Sequence, residues 1–293
     1  MKEKSQRTVL LMTASYFLVE LFGGLHYKSL ALVTDASFMG LNITGQLMVY
    51  YVGRLSKKLP DKDKTFGYER AKVLSGLFNG MLVGFLIFYV LLEAYGNIKH
   101  PQPLEAGKVL VIALLGLFVN AFGLIKLSKH LSDINVKGAS LLLLNDTLGS
   151  VGVISSSLII VFTRLWFVDA VTSVIIGLLA AYPTYFLIKD SVHILMEGNP
   201  ARVDVDEVKN FIYGNSQEIS RIKDVHIWGL SPEKIILAVR IRTKGALHGR
   251  SMIKNLKNDL KEKFNFFDVY VESYEEKSEP ERVNQVSDSH LEL

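Results

Sequence analysis

Cysteine is missing from all 293 residues, which excludes disulfides and thiolate metal sites and leaves the redox compartment unread. Histidine is scarce and scattered. His26, His100, His130, His193, His226, His248 and His290 form no tight run, so no His-rich metal tract is present. There is no phosphate-cradling glycine loop and no nucleophile-elbow pattern. A hydrolase buried in a membrane needs histidines or paired acids deep in its apolar segments. Neither arrangement occurs, so an enzyme is not expected. The net charge of +4 is modest and divided between loops and the C-terminal part, which gives no footing for nucleic acid as a partner.

What remains is strongly apolar: 49% of the chain is hydrophobic, concentrated in the first 190 positions. A membrane-crossing helix needs about 20 apolar residues. Six stretches qualify: 8–27, 29–53, 71–98, 108–128, 138–163 and 165–189. The first lacks a small-residue cleavage site and reads as a retained span and not a removed leader. Basic residues orient such spans. Lys2, Lys4, Arg7, Arg54, Lys57, Lys58, Lys62, Lys64, Arg70, Lys126, Lys129 and Lys137 fall on one side; Lys28, Lys99, Lys108 and Arg164 fall on the other. Twelve against four predicts both termini in the cytosol of a multi-pass protein of the cell membrane. The loop motif TFGYER sets Glu69 and Arg70 at the inner surface, either as plain topology-setting charge or for an interdomain ion pair or anionic lipid.

After Asp190 the pattern changes. Asp204 and Glu207 stand at capping-box spacing before Val208, Phe211 and Ile212, which predicts a helix. IKDVHIWGL and KIILAVRIR alternate with period two around the turn SPE, which predicts a hairpin. Met252, Ile253, Leu256, Leu260 and Phe264 mark a second helical stripe, and FFDVYVESY a third strand. The expected protein is mainly α: a six-helix membrane domain over 8–190, a soluble αββαβ unit over 191–275, and a disordered tail over 276–293.

The polar residues inside the spans carry the functional question. An ionisable side chain there costs about 2.5–3.5 kcal/mol on insertion scales, so it is paired or functional. Span one carries Glu20, span two Asp35 and Asn42, span five Asn145 and Asp146. Residues four and seven apart share a helix face, so Phe38 and Asn42 lie together with Asp35 above them, and Leu142, Asp146 and Ser150 lie together. If spans two and five touch, Asn42 meets Asp146. Two readings fit: interhelical hydrogen bonds that only hold helices together, or a path for an ion. Asp35 also fits a cap or anchor, and Glu20 a helix-pairing acid. Gly149, Ser150, Gly152, Ser155, Ser156 and Ser157 permit close helix approach, and Pro183 interrupts the hydrogen bonding of span six.

The segments VELFGGLHYKSLALVTDASFM, TFGYERAKVLSGLFN, NVKGASLLLLNDTLGSVGVISS, DAVTSVIIGLL, DSVHILMEGNP and DVHIWGL run in one order over nearly the whole chain. Together they resemble the cation diffusion facilitators, the zinc and cadmium efflux family. The resemblance implies six spans, a cytosolic metallochaperone-like (ferredoxin-like) domain, a homodimer, and exchange of a divalent cation for protons by alternating access. It also implies a metal site of His or Asp followed four residues later by Asp, once in span two and once in span five. Those positions here are Phe38, Asn42, Leu142 and Asp146; only Asp146 keeps the expected type, and Phe38 and Leu142 cannot ligate. Asp35 matches a frequent family acid outside the quartet. In the soluble domain, histidines usual near Arg240 and Phe266 are replaced, leaving His226 as the candidate, either packed or metal-facing. The metal candidates are therefore Asp146, Asn42 and Asp35, an oxygen set suited to a harder ion such as Mn²⁺ or Mg²⁺; the family's range leaves Zn²⁺, Mn²⁺, Fe²⁺, Co²⁺ and Cd²⁺ as the expected cargoes. The alternative is a transport-silent partner subunit, working as a heterodimer with an active relative.

Overall fold

The structure is a computed structural model describing residues 2–128, 134–200, 203–215, 218–243 and 249–274. His130, His248, His290 and the tail 276–293 lie outside the described residues. The chain divides into two compact units, 1–192 and 193–293.

The first unit contains six long helices: α1 (Lys2–Tyr27), α2 (Leu30–Leu55), α3 (Arg70–Lys99), α4 (Ala106–Ser128), α5 (Ile134–Thr163) and α6 (Phe167–Leu195). Five are long and apolar enough to cross a membrane; α2 is the exception. At 26 residues α2 still spans about 39 Å. Its apolar character is diluted by Thr34, Asp35, Ser37, Asn42, Thr44 and Gln46; Thr34 and Asp35 are buried, Ser37 and Asn42 half-buried, and exposed Thr44 bonds the Gly40 carbonyl of its own helix. Large side chains on its neighbours point outward instead, among them Phe85, Phe118 and Phe162. Such an inverted surface is what a hydrocarbon solvent favours.

Small residues set which helices touch. A side chain at Gly116 of α4 would run into the Tyr16 ring of α1. One at Gly123 would meet Leu143 of α5 at 2.9 Å and Val9 of α1 at 3.3 Å. α3 presents Gly76 and Gly80 to Leu187 and Ile188 of α6. Helix α6 continues through Pro183 without ending. The turn from α1 to α2 closes on Lys28 in the left-handed region (φ 58°), with the Ser29 amide donating to the Gly24 carbonyl at 3.0 Å. Ser29 then caps α2, its hydroxyl accepting from the Leu32 amide at 3.2 Å.

The second unit holds α7 (Val205–Asn215), β1 (Ile219–Ser231), β2 (Lys234–Thr243), α8 (Gly249–Phe264) and β3 (Asp268–Tyr274). This is the expected αββαβ order. The hairpin β1–β2 is antiparallel, with Ser231 opposite Lys234, and β3 joins β2 in parallel. Val208 and Ile212 of α7, Leu256 and Leu260 of α8, and Leu237, Val239 and Ile241 of β2 form its core. Half of the capping box forms: Asp204 accepts from the Asp206 amide at 2.8 Å, while the Glu207 carboxylate lies 3.5 Å from Lys263 of α8.

A candidate cation site between two helices

The seam between α2 and α5 is built on a missing side chain. A Cβ at Gly149 would collide with the Asp35 carboxyl, so glycine there lets the acid lie against the α5 backbone. Asp35 is buried, and Ser150 donates to it at 3.5 Å. Two turns along α2, Asn42 donates its amide to Asp146 of α5 at 3.2 Å. Asp35 opposite Ser150, and Asn42 opposite Asp146, means the two helices run antiparallel. The meeting of Asn42 with Asp146 was expected on condition that the two helices touch, and they do.

The other positions sort clearly. Phe38 is buried in an apolar cluster with Leu32, Val109, Val153 and Ile176. Leu142 is half-buried beside Asp146, and Asn145 is exposed and faces away from the seam. Glu20 is fully buried, and no N–H group donates to its carboxylate. Its polar neighbours are the Asp35 carboxyl and the Tyr16 hydroxyl, which also donates to the Ile112 carbonyl at 2.9 Å. In the second unit His226 is exposed on β1. Arg240 lies 3.5 Å from Asp224 and 2.6 Å from Glu272, a cross-strand ion pair. Phe266 is packed in the core. Among the described residues no three His, Cys, Asp or Glu side chains converge closely enough to cage a metal ion.

A cavity of about 820 Å³ reaches Asn42 and Asp146. Its polar wall includes Thr13, Gln46, Lys72, Ser75 and Asn79, and it runs out along exposed Val49 and Tyr50 at the end of α2. That end carries the α2–α3 loop. On either side of Asp35 along α2, Leu32 and Phe38 pack with Val109 in one apolar cluster. The cavity thus reaches Asn42 and Asp146, while Asp35 is buried outside its lining.

Two buried polar residues were not foreseen, and Ser150, placed beforehand on the face of Asp146, donates to Asp35. Asp169 of α6 accepts from the Ser29 hydroxyl at 2.6 Å and from the Ala31 amide at 3.1 Å, so the anchoring acid of α2 is Asp169 and not Asp35. Asn120 of α4 is fully buried with both amide atoms unpartnered. Of the two, only Asn120 carried a signal, as a polar residue within an apolar span. Asp169 stands at the edge of its span, where an acid is unremarked.

Residues 7–196 match the cation efflux transmembrane domain, and residues 200–273 match the cation efflux protein cytoplasmic domain. The cation efflux system protein CzcD of Alcaligenes sp. is 36% identical over 272 residues, covering 92% of this chain and 86% of the relative. The zinc transporter ZitB of Escherichia coli is 32% identical, over 79% of this chain and 74% of its own. The cadmium, cobalt and zinc/H(+)-K(+) antiporter of Bacillus velezensis is 33% identical, over 75% and 71%. With both halves matched in order and the polar seam buried inside a bundle of membrane-length helices, the chain belongs to the cation efflux family of multi-pass membrane transporters.

Proposed function

We propose that the protein is a homodimeric divalent metal transporter that exports its ion, with both termini in the cytosol, by alternating access in exchange for protons. The observation that carries this reading is the Asn42–Asp146 contact on the wall of a cavity that leaves the bundle beside the basic α2–α3 loop. Basic loops stay cytosolic, so the described conformation faces inward. An ion enters along Gln46 and Asn79 and reaches Asp146, the carboxylate on the cavity wall. Asn42 donates one amide hydrogen to Asp146 and keeps a carbonyl oxygen for the ion. Asp35, two turns deeper, adds a second negative charge.

This donor set is all oxygen. It lacks the imidazoles that favour Zn²⁺, and its few fixed charges leave room for retained waters, which favours Mn²⁺. The relatives named for zinc, cadmium and cobalt support a divalent cargo. His226 is exposed and takes no part. The second reading, a transport-silent partner subunit, draws support from Phe38 and Leu142, which stand where ligands are expected.

Uptake of Zn²⁺, Mn²⁺, Fe²⁺, Co²⁺ and Cd²⁺ by proteoliposomes of the purified protein under an imposed pH gradient separates the two. The transporter reading expects saturable, gradient-driven flux of at least one ion. No flux of any ion, together with an altered flux of a co-expressed active relative, would establish the partner subunit instead.

A further inference from the structure

Between Thr8 and Leu25 of α1, Leu30 and Gly53 of α2, Val109 and Ile125 of α4, and Gly138 and Thr163 of α5 there is no Lys, Arg or His. The same stretches hold three buried acids: Glu20, Asp35 and Asp146. No basic side chain from these segments offsets them. The oddest of the three is Glu20. It is fully buried, no N–H group donates to it, and its polar neighbours are the Asp35 carboxyl across the α1–α2 contact and the Tyr16 hydroxyl, which also donates to Ile112. Two facing carboxylates so placed cost several kcal/mol unless something lies between them. The pair therefore holds either a shared proton or a cation.

The cavity touches Asp146 but neither Asp35 nor Glu20. The three acids also do not converge on one point. They therefore form two positions in succession: Asp146 with Asn42 at the cavity wall, and Asp35 with Glu20 buried outside its lining. The Gly149 gap brings the Asp35 carboxyl against α5, where Ser150 adds a hydroxyl.

We infer that Glu20 and Asp35 form a second, occluded position for a divalent cation, deeper than Asp146, supplying the carboxylates that Phe38 and Leu142 cannot. The inference rests on the transporter reading above and extends it to the buried part of the seam. A cation between two facing carboxylates removes the cost of burying both, and it meets hard oxygen donors throughout. An ion moving from Asp146 to this pair passes from the cavity wall into the buried interior.

The test is equilibrium dialysis of the full-length protein in detergent against Mn²⁺, Zn²⁺ or Cd²⁺ alone, with bound metal counted by mass spectrometry. Glu20→Gln keeps the side-chain volume and removes the charge. It should weaken binding by about tenfold or more, since one charge a few ångströms from a divalent ion is worth at least that. Its size-exclusion profile and melting temperature should be unchanged or improved. Glu20→Asp, which keeps the carboxylate, should recover much of the affinity and covers the case of a poorly folding Gln variant. Equal binding by wild type and Glu20→Gln overturns the occluded position while leaving the Asp146 site standing. Equal binding by wild type and Asp146→Asn, with Glu20→Gln weakened, removes the Asp146 site and keeps this one. No metal bound by the wild type at all overturns both.

Discussion

Asp146 sits where a membrane helix can least tolerate an acid, yet its neighbours offer it only one amide hydrogen. Structural glue of this kind is worth about 0.6 kcal/mol on average, too little to offset the cost of insertion. Its near-contact with Asn42 followed from residue spacing once α2 and α5 touch, because four- and seven-residue intervals fix which side chains share a face. The role of Gly149 did not follow from spacing. A glycine announces room, but only the packed helices show that the room belongs to Asp35. Gly149→Ala should push α2 off α5, costing about 1–3 kcal/mol as an overpacked contact and abolishing metal uptake. Melting of the purified protein and a flux assay check the two parts separately. Asp169 was illegible for another reason: its partners, Ser29 and the Ala31 amide, are 140 and 138 positions away. Asp169→Ala strands those donors and should lower stability by about 1–3 kcal/mol without touching the cation positions. A melting temperature equal to wild type would show that water replaces the cap.

Helices and strands were largely legible, since their periods of 3.6 and 2 are written in the apolar residues. Helix α2 was legible too, as the stretch 29–53, although its polar dilution puts it below the hydropathy of a free-standing span. Under the proposed function, that weakness marks the helix that lines the path. The α2–α3 loop shows a limit. TFGYER was read either as plain topology-setting charge or as a contact for lipid or the soluble domain. Within the first unit Glu69 pairs with Lys72 on the first turn of α3 at 3.0 Å, and the preceding turn folds on itself. Asp61 accepts from the Tyr68 hydroxyl at 2.5 Å, the Lys64 amide at 2.8 Å and the Asp63 amide at 3.1 Å. The Tyr68 hydrogen bond, followed by that of the Lys64 amide, holds the Asp61 carboxyl below the usual carboxylate range. A depressed folded value means the turn is fully supported above the ordinary aspartate pKa and loosens only as pH falls through the lower folded value. Hydrogen exchange over residues 57–68 should therefore stay slow from neutral pH down past the normal aspartate range, then quicken. In Tyr68→Phe the quickening should begin at higher pH. Identical profiles would remove Tyr68 from the account.

The first unit combines an apolar surface with buried acids and, over the apolar stretches of α1, α2, α4 and α5, no bases. Composition could show that the chain enters a membrane, and residue order could show its family. Neither could show that the cavity stops at Asp146 or that Glu20 lies beyond it, because both depend on which turns of four helices meet. The second unit is simpler. Its core alternation was readable in the strands, and the replacement of an expected histidine by Arg240 leaves a cross-strand ion pair with Asp224 and Glu272. That pair is exposed, so Arg240→Ala should change stability by under about 1 kcal/mol and leave metal flux alone. The transport claim itself rests on one side chain. Initial rates of Mn²⁺ and Zn²⁺ uptake into proteoliposomes, wild type against Asp146→Asn at matched protein density, test it most directly. The account predicts transport by the wild type and a fall to the rate of protein-free vesicles in the variant, with its size-exclusion profile unchanged. Undiminished uptake by Asp146→Asn would contradict it.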